Sequence, residues 1–225
     1  MRLGHYFFDS PIDFDTDCVQ NLIIEDQKTL SEFIFEMISQ IEGETGNFVL
    51  IENASELDLT KRLQILLDPF RIDLNFRANI SALYSELSRE AHGEKNLVET
   101  THLLNSICQH ISNLISEQDV SVSISKEANI LDILKMLGVG FEKDEEGGIL
   151  TRLSQYISTC SKYADVKVFV FINLRRFMSE KEIDMFCEFA LYNKIPILLV
   201  ENINPNIPSK YPTKIIDSDL CEINH

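Results

Sequence analysis

Apolar and polar residues follow two kinds of spacing near the amino-terminal end of the chain. The run VQNLIIE, residues 19–25, predicts a strand, and residues 28–41 carry apolar side chains at helical spacing. After the tight turn GETGN, the run FVLIE, residues 48–52, predicts a second strand. The order strand, helix, strand is typical of a β-α-β unit with parallel strands.

A second unit of the same kind lies near the carboxyl-terminal end. Residues 167–173 and 195–200 are apolar runs that predict strands. Between them, Ser179 and Glu182 have the spacing of a capping box, which predicts the start of a helix. Continuous apolar strands are typical of a parallel sheet that is covered on both faces.

The pattern between these units is helical. Helices are predicted at residues 57–67, 75–90, 96–115, 130–137 and 149–161, with Gly138 ending the fourth and a short strand at residues 139–142. Two halves of an α/β sheet therefore flank a helical insertion. We predict an α/β head from residues 1–57 and 144–225, and an α-helical leg from residues 58–143.

Composition is that of a soluble globular protein. The chain has 225 residues, of which 44% are hydrophobic and 25% are charged. No run approaches the roughly 20 apolar residues that span a bilayer, and the amino-terminal residues lack a signal-peptide pattern. The five cysteines are scattered and form no CxxC pair, which argues against disulfides or a zinc site. We expect a cytoplasmic protein with no membrane association.

The charge balance argues, at face value, against nucleic acid. The chain has 36 acidic and 20 basic residues and a net charge of -16, whereas DNA binding depends on neutralising phosphates. A local patch is nevertheless sufficient for binding. One group of basic residues lies within residues 161–181 and consists of Lys162, Lys167, Arg175, Arg176 and Lys181. A looser group in the middle of the chain consists of Lys61, Arg62, Arg71, Arg77, Arg89 and Lys95. The alternative is an ordinary solvated surface.

Motifs for catalysis or nucleotide binding are missing. The eight glycines form neither GxxxxGK[ST] nor GxGxxG, so no loop is predicted to surround a phosphate. His102 and His110 are about 12 Å apart along a helix, too far for one metal ion. No nucleophile elbow or HExxH is present. These observations predict a protein that is not an enzyme and binds no nucleotide.

Several strings, taken in order, carry a family resemblance. They are FVFINLRRFMSEKEIDMFCEFALYNKIPILLVE at 169–201 and ILDILKMLGVGFE at 130–142, together with FFDSPIDF, IIEDQKTLSEFI, DLNFRANISALYSEL and IIDSDL. With these strings the chain resembles, from about residue 3 to residue 223, the Csn-two family of accessory proteins in type II-A CRISPR systems. No single string is very specific, but their order and spacing together are.

The resemblance implies an α/β head related to P-loop and RecA-like ATPases but lacking the phosphate loop, with an inserted helical leg. It implies a ring-shaped homotetramer that holds double-stranded DNA, preferably at ends, and acts in spacer acquisition with the CRISPR integrase and the effector nuclease, without catalysis of its own. The alternative is an adaptor that recruits these proteins, with DNA binding secondary. The candidate DNA-binding residues are Lys61, Arg62, Arg71, Arg77, Arg89, Lys162, Arg175, Arg176 and Lys181.

The resemblance also implies calcium ions that fix the head against the leg. In the family, acidic residues precede the Leu-Gly-Val segment, but here that stretch is VSVSISKEAN, residues 120–129. The candidate ligands that remain are Asp119, Glu127 and Asp132. Either calcium binds weakly or elsewhere, or this chain orders its leg without the ion.

Overall fold

The chain forms two compact units. The computed structural model describes residues 1–15, 17–124, 128–142, 147–203 and 210–224. The first unit is Met1–Leu74 with Lys143–His225, and the second is Asn75–Glu142. Throughout the described ranges, no helix combines the length and the apolar character that crossing a membrane requires.

The first unit contains every strand among the described residues. Its elements are β1 (Arg2–Gly4), β2 (Ile12–Asp13), β3 (Val19–Ile24), α1 (Gln27–Ile41), β4 (Val49–Glu52), β5 (Ser55–Leu57), α2 (Leu59–Arg62), β6 (Leu63–Leu66), α6 (Ile149–Tyr163), β7 (Val168–Ile172), a 3-10 turn (Leu174–Arg176), α7 (Glu180–Asn193), β8 (Ile197–Glu201), β9 (Thr213–Ile216) and β10 (Glu222–Asn224). The second unit contains α3 (Arg77–Ala91), α4 (Leu97–Ser116) and α5 (Ile130–Met136).

A six-stranded sheet in the order β10-β9-β3-β8-β7-β6 forms the centre of the first unit. Neighbouring strands from β9 to β6 are parallel, and β10 is antiparallel to β9. Val19 of β3 pairs with Ile197 of β8, so the two ends of the chain meet in one sheet. This confirms the predicted α/β fold with a parallel sheet; the predicted relationship to P-loop and RecA-like ATPases stays a prediction.

Both faces of this sheet are covered, which explains the continuous apolar strands. On one face, Leu22, Val170 and Leu198 belong to the same core cluster as Phe33 of α1 and Leu50 of β4. On the other face, the Phe169 ring meets Tyr156 of α6 edge to face at 5.9 Å, and Phe171 meets Phe186 of α7 in the same way at 5.2 Å. Every residue of β3, β7 and β8 is buried as a result.

Residues 48–52 form a strand as predicted, but the prediction of a parallel β-α-β unit with residues 19–25 is wrong. β4 instead belongs to a four-stranded antiparallel sheet in the order β2-β1-β4-β5, where Leu50 pairs with Leu3. Leu50 is fully buried, whereas its neighbour Ile51 is 41% exposed. A strand with one buried face is typical of an antiparallel sheet, so β4 lacks the two-sided burial that a central parallel strand requires.

The prediction of a helix at residues 57–67 is also wrong. Only one helical turn, α2, is present, and the chain then extends as β6, in which Leu63 pairs with Val168 of β7. The first unit therefore continues to Leu74, beyond the boundary predicted after residue 57, and includes Lys61, Arg62 and Arg71. The short strand expected at residues 139–142 is absent from the structure as described.

Two hydrogen bonds join the first residue of the second unit, Asn75, to Phe141 near its end. The Asn75 side chain donates to the Phe141 carbonyl at 3.0 Å and accepts from the Phe141 amide at 2.8 Å. A Cβ atom on Gly140 would lie 2.8 Å from the Asn75 side-chain oxygen, so any larger residue would displace the Asn75 side chain from these hydrogen bonds. Gly138 has φ +64° and ends α5 as predicted.

His5 lies buried beside α1 and provides a pH-sensitive position in the first unit. Its Nε2 lies 3.1 Å from Glu36 Oε2, its Nδ1 accepts from the Phe7 amide at 3.3 Å, and its ring stacks on Phe48 at 4.2 Å. Burial lowers the pKa of His5 below its usual 6.5, and this effect exceeds the opposing effect of Glu36. The neutral imidazole is thus the form that the fold prefers.

We expect the free energy of unfolding to lose the His5 contribution as the pH falls below 6.5. The folded pKa is depressed, so the contribution is complete above the unfolded value of 6.5 and disappears as the pH falls through the folded value. Urea unfolding of wild type and His5→Gln between pH 7.5 and 5 measures it. The stability difference between the two proteins should shrink toward acid pH. A difference that is constant with pH would contradict this assignment.

Candidate nucleic-acid interface

Parallel pairing of β6 with β7 brings basic residues together at the amino ends of both strands. Lys61 and Arg62 end α2 directly before β6, and Lys167 directly precedes β7. The Leu63–Val168 register places these starts side by side, and the Lys167 amide donates to the Arg62 carbonyl at 2.7 Å. Lys162 lies in the last turn of α6, which leads into β7. We call Lys61, Arg62, Lys162 and Lys167 the amino-end cluster.

Two carboxylates partly neutralise the amino-end cluster. Asp165 forms ion pairs with Lys167, at 2.8 Å, and with Arg62. The contact with Lys167, followed by that with Arg62, holds the pKa of Asp165 below its usual range. Asp58 pairs with Lys61 at 2.8 Å. Arg62 also donates to the Asp165 carbonyl at 3.1 Å. Arg62 and Lys167 are thus held in place, whereas Lys61 and Lys162 are exposed and can reach a ligand.

The carboxyl ends of the same two strands gather a second set of basic residues. Arg71 follows β6, and Arg175 and Arg176 lie in the 3-10 turn that follows β7. The two connections touch, since the Phe70 and Phe177 rings are 5.3 Å apart. Lys181 follows in the first turn of α7. We call Arg71, Arg175, Arg176 and Lys181 the carboxyl-end cluster.

The two neighbouring arginines of this cluster have different environments. Arg175 has a side chain only 15% exposed and forms an ion pair with Glu180. Its amide donates at 3.1 Å to Glu201, a carboxylate at the end of β8 whose burial raises its pKa. Arg176 is exposed, and its Nη2 lies 3.4 Å from Asn202 Oδ1. Arg175 therefore organises the turn, while Arg176 is exposed. The Arg71 side chain is 88% exposed, with its Nε 3.5 Å from Asp68 Oδ2.

Asn173 also has a structural role in this turn. It adopts the left-handed conformation with φ 52°, and its side-chain oxygen accepts from the Asn202 amide at 3.3 Å. This bond ties the end of β7 to the end of β8. Asparagine is one of the few residues that tolerate such a φ, which accounts for the polar residue after an apolar strand.

The connection from β3 to α1 is too short for a phosphate-binding loop, and the start of α1 is already capped. Only Glu25 and Asp26 separate β3 from α1. The Asp26 carboxylate accepts from the amide and the hydroxyl of Thr29, each at 2.7 Å, and so caps α1. A phosphate-binding loop needs a longer glycine-rich connection whose amides point at the anion. Here a carboxylate already satisfies the helix terminus.

Arg77 and Arg89 belong to the second unit. Arg77 is the first residue of α3 and Arg89 lies in its last turn, about 18 Å away along the helix. Both are exposed.

The candidate calcium ligands fit an ion poorly. Asp132 is in the first turn of α5, where its carboxylate accepts from the Asn129 side chain at 2.8 Å and its amide donates to the same side chain. Asp119 follows α4, and Glu127 lies outside the described residues. In the parts of the chain that the structure describes, no three histidine, cysteine or acidic residues gather as a metal site.

Sequence reasoning missed three residues at the carboxyl ends of β6 and β7. Phe70 and Phe177 form an exposed aromatic pair, and Arg152 Nη2 of α6 donates to the Phe70 carbonyl at 3.2 Å. A helical prediction for residues 57–67 does not reveal the pairing of β6 with β7. The signal for it in the sequence is the apolar-polar-apolar alternation that begins LQIL, residues 63–66, which is typical of a short strand.

Comparison with known proteins places the chain in a family. Residues 40–220 match the family model described as CRISPR-associated protein (Cas_Csn2). The chain belongs to the Csn2 family. A CRISPR-associated protein Csn2 from Enterococcus faecalis is 20% identical over 205 residues, which are 89% of this chain and 90% of that protein. Csn2 membership confirms the family resemblance, and the matched range includes all nine candidate DNA-binding residues.

Arg175 and Arg176 should differ in their effects on stability. We expect Arg175→Ala to lower the free energy of unfolding by about 1–2 kcal/mol, because it removes a charged hydrogen bond and a largely buried side chain. Arg176→Ala should change it by less than about 0.5 kcal/mol. Urea denaturation of both variants measures this difference. Equal effects would contradict the assignment of Arg175 to the interior of the turn.

Proposed function

We propose that this protein binds double-stranded DNA without sequence preference and without catalysis, prefers DNA ends, and supports CRISPR spacer acquisition as a ring-shaped homotetramer. The observation that carries the proposal is the gathering of cations at both ends of the β6–β7 pair in a chain whose net charge is -16. Csn2 membership provides the CRISPR context.

The arrangement of the cations suits contact with phosphates rather than with bases. Both clusters lie around the ends of β6 and β7, in the connecting turns and in the terminal turns of α2, α6 and α7. No recognition helix or ribbon that would enter a groove presents them, and phosphate contacts carry no sequence information. The two ends of β6 and β7, strands of four and five residues, are about 15 Å apart at about 3.3 Å per residue. That separation allows one duplex to contact both clusters along the β6 edge.

The acidic remainder of the surface supports the same proposal. The excess of 36 acidic over 20 basic residues repels DNA from the rest of the protein and leaves the two clusters as the favourable surface. In a ring, the same clusters from every copy would line the channel. Each phosphate contact releases counterions, so the affinity should fall steeply with salt.

An exposed apolar stripe on α4 supports self-association. No residue of this 20-residue helix is buried. Leu103, Ile107, Ile111 and Leu114 recur at intervals of three or four residues and are 42–55% exposed. A second copy of the chain is the partner that we propose for the stripe, since homo-oligomers bury such surfaces against each other.

We propose no nucleotide cofactor, because Asp26 occupies the helix terminus where a phosphate would bind. Calcium remains a proposal from the family resemblance alone. With Asp132 engaged by Asn129, we expect a chelator to leave DNA affinity unchanged. A chelator-dependent loss of binding would show that an ion contributes.

The integrase proteins and the effector nuclease are proposed partners. On the outer side of α7, Met185 and Tyr192 are 48% and 88% exposed, with the exposed Glu188 between them at helical spacing. This stripe favours the alternative function as an adaptor. If a variant that has lost DNA binding still binds purified integrase with wild-type affinity, the adaptor function is independent of DNA.

Linear duplex should bind at least about tenfold more tightly than a covalently closed circle of equal length, because only ends can enter a ring. Arg71→Glu and Arg176→Glu should each weaken binding and reduce the slope of log affinity against log salt by about 1 for every copy of the residue in the ring that contacts a phosphate. Gel-shift titrations at several salt concentrations measure both. Equal affinity for the linear and the circular duplex would contradict the proposal that a DNA end enters the ring.

Lys28→Glu is the matched control for these charge reversals. Lys28 is 84% exposed on α1, outside both clusters, and pairs with Glu32 at 3.7 Å. This variant should keep the wild-type salt slope. A slope lowered equally by Lys28→Glu and Arg176→Glu would mean that net charge, not the cluster, controls binding.

Self-association should depend on the apolar stripe of α4. Ile107→Asp with Ile111→Asp should reduce the oligomer mass measured by light scattering, because charges would enter the proposed interface. Ser106→Asp with Asn113→Asp is the matched control, since both residues lie on the polar side with His102 and His110. An unchanged mass of the first variant would remove α4 from the interface.

A further inference from the structure

Two phenylalanines form an exposed platform at the carboxyl ends of β6 and β7. Phe70 and Phe177 are 52% and 43% exposed. Their rings lie 5.3 Å apart at an interplanar angle of 87°, an edge-to-face arrangement. Single exposed apolar residues are ordinary, but a paired aromatic surface is typical of a binding site.

Hydrogen bonds on both sides hold this platform in place. The Phe70 amide donates to Asp68 at 2.9 Å, and its carbonyl accepts from Arg152 at 3.2 Å. The Phe177 amide donates to the Leu174 carbonyl at 3.0 Å and so closes the 3-10 turn. Each ring therefore extends from a fixed turn, and little ordering entropy would be lost on binding.

The groups next to the platform indicate its ligand. Arg71 and Arg176 adjoin the two phenylalanines in sequence, and both are exposed. Aromatic rings combined with guanidinium groups are how proteins hold nucleic-acid bases by stacking and phosphates by charge. An apolar protein segment would not need cations on both sides of the aromatic pair.

The shape of DNA restricts what can stack here. Inside a duplex both faces of every base pair are covered by neighbours, and only the terminal pair offers an open face. We propose that the Phe177 ring stacks on the terminal base pair of a DNA duplex, with Phe70 supporting it edge to face and with Arg71 and Arg176 on the phosphates beside it. The inference rests on the proposed function and deepens it: a ring explains why an end can enter, and the aromatic pair would contact the terminal base pair itself, which phosphate contacts alone do not do.

Fluorescence of 2-aminopurine placed at the terminus or in the middle of a linear duplex tests the platform. Wild type should quench the terminal probe and leave the central probe unchanged. Phe177→Leu keeps the apolar bulk but lacks the stacking face, so it should lose most of the quenching and weaken binding to linear duplex about 5- to 20-fold. Phe177→Tyr should retain both properties.

Phe35→Leu is the matched control, since Phe35 is 71% exposed on α1. It should behave as wild type, and all variants should keep a cooperative unfolding transition. If wild type prefers ends but does not quench the terminal probe, the platform is overturned while the proposed function stands. If Phe177→Leu alters the oligomer mass and leaves the quenching intact, the pair is a self-association surface and the inference is wrong. If wild type binds no linear duplex, both fail.

Discussion

The parallel pairing of β6 with β7 is the contact on which the candidate interface depends. In this register Leu63 lies opposite Val168, and the pairing joins residues about one hundred positions apart in the chain. It brings the segments before and after both strands together, and all basic clusters of the first unit come from those segments. Without it, Lys61 and Lys162, or Arg71 and Arg176, would be isolated charges on an acidic surface.

The edge position of β6 adds a second consequence. An edge strand leaves one side of the sheet open, and a run of cations at both of its ends discourages edge-to-edge pairing with another copy. The same arrangement keeps the cations accessible to a large ligand. Stability and binding thus use different members of each cluster. Arg62 and Arg175 form ion pairs from partly or largely buried positions, whereas Lys61, although paired with Asp58, and Arg176 are exposed to solvent.

The sequence predicted the parts of the fold that depend on local pattern. The buried strands β3, β7 and β8, the helix α1 and the capping box at Ser179 follow from apolar runs and from cap residues, and the structure confirms them. The pairing of β4 and β6 depends on distant partners, β1 and β7, that a local pattern does not reveal. The difference between Arg175 and Arg176 likewise depends on Glu180 and Glu201, and adjacent arginines look alike in a sequence.

The central claim is that DNA contacts the ends of the β6–β7 pair, and lysine footprinting tests it most directly. Acetylation of the free protein and of its complex with linear duplex compares Lys61 and Lys162, which lie at these ends, with Lys28 on α1. We predict that DNA protects Lys61 and Lys162 severalfold and leaves Lys28 reactive. If DNA instead protects Lys28 from acetylation and leaves Lys61 and Lys162 reactive, DNA does not contact the ends of the β6–β7 pair.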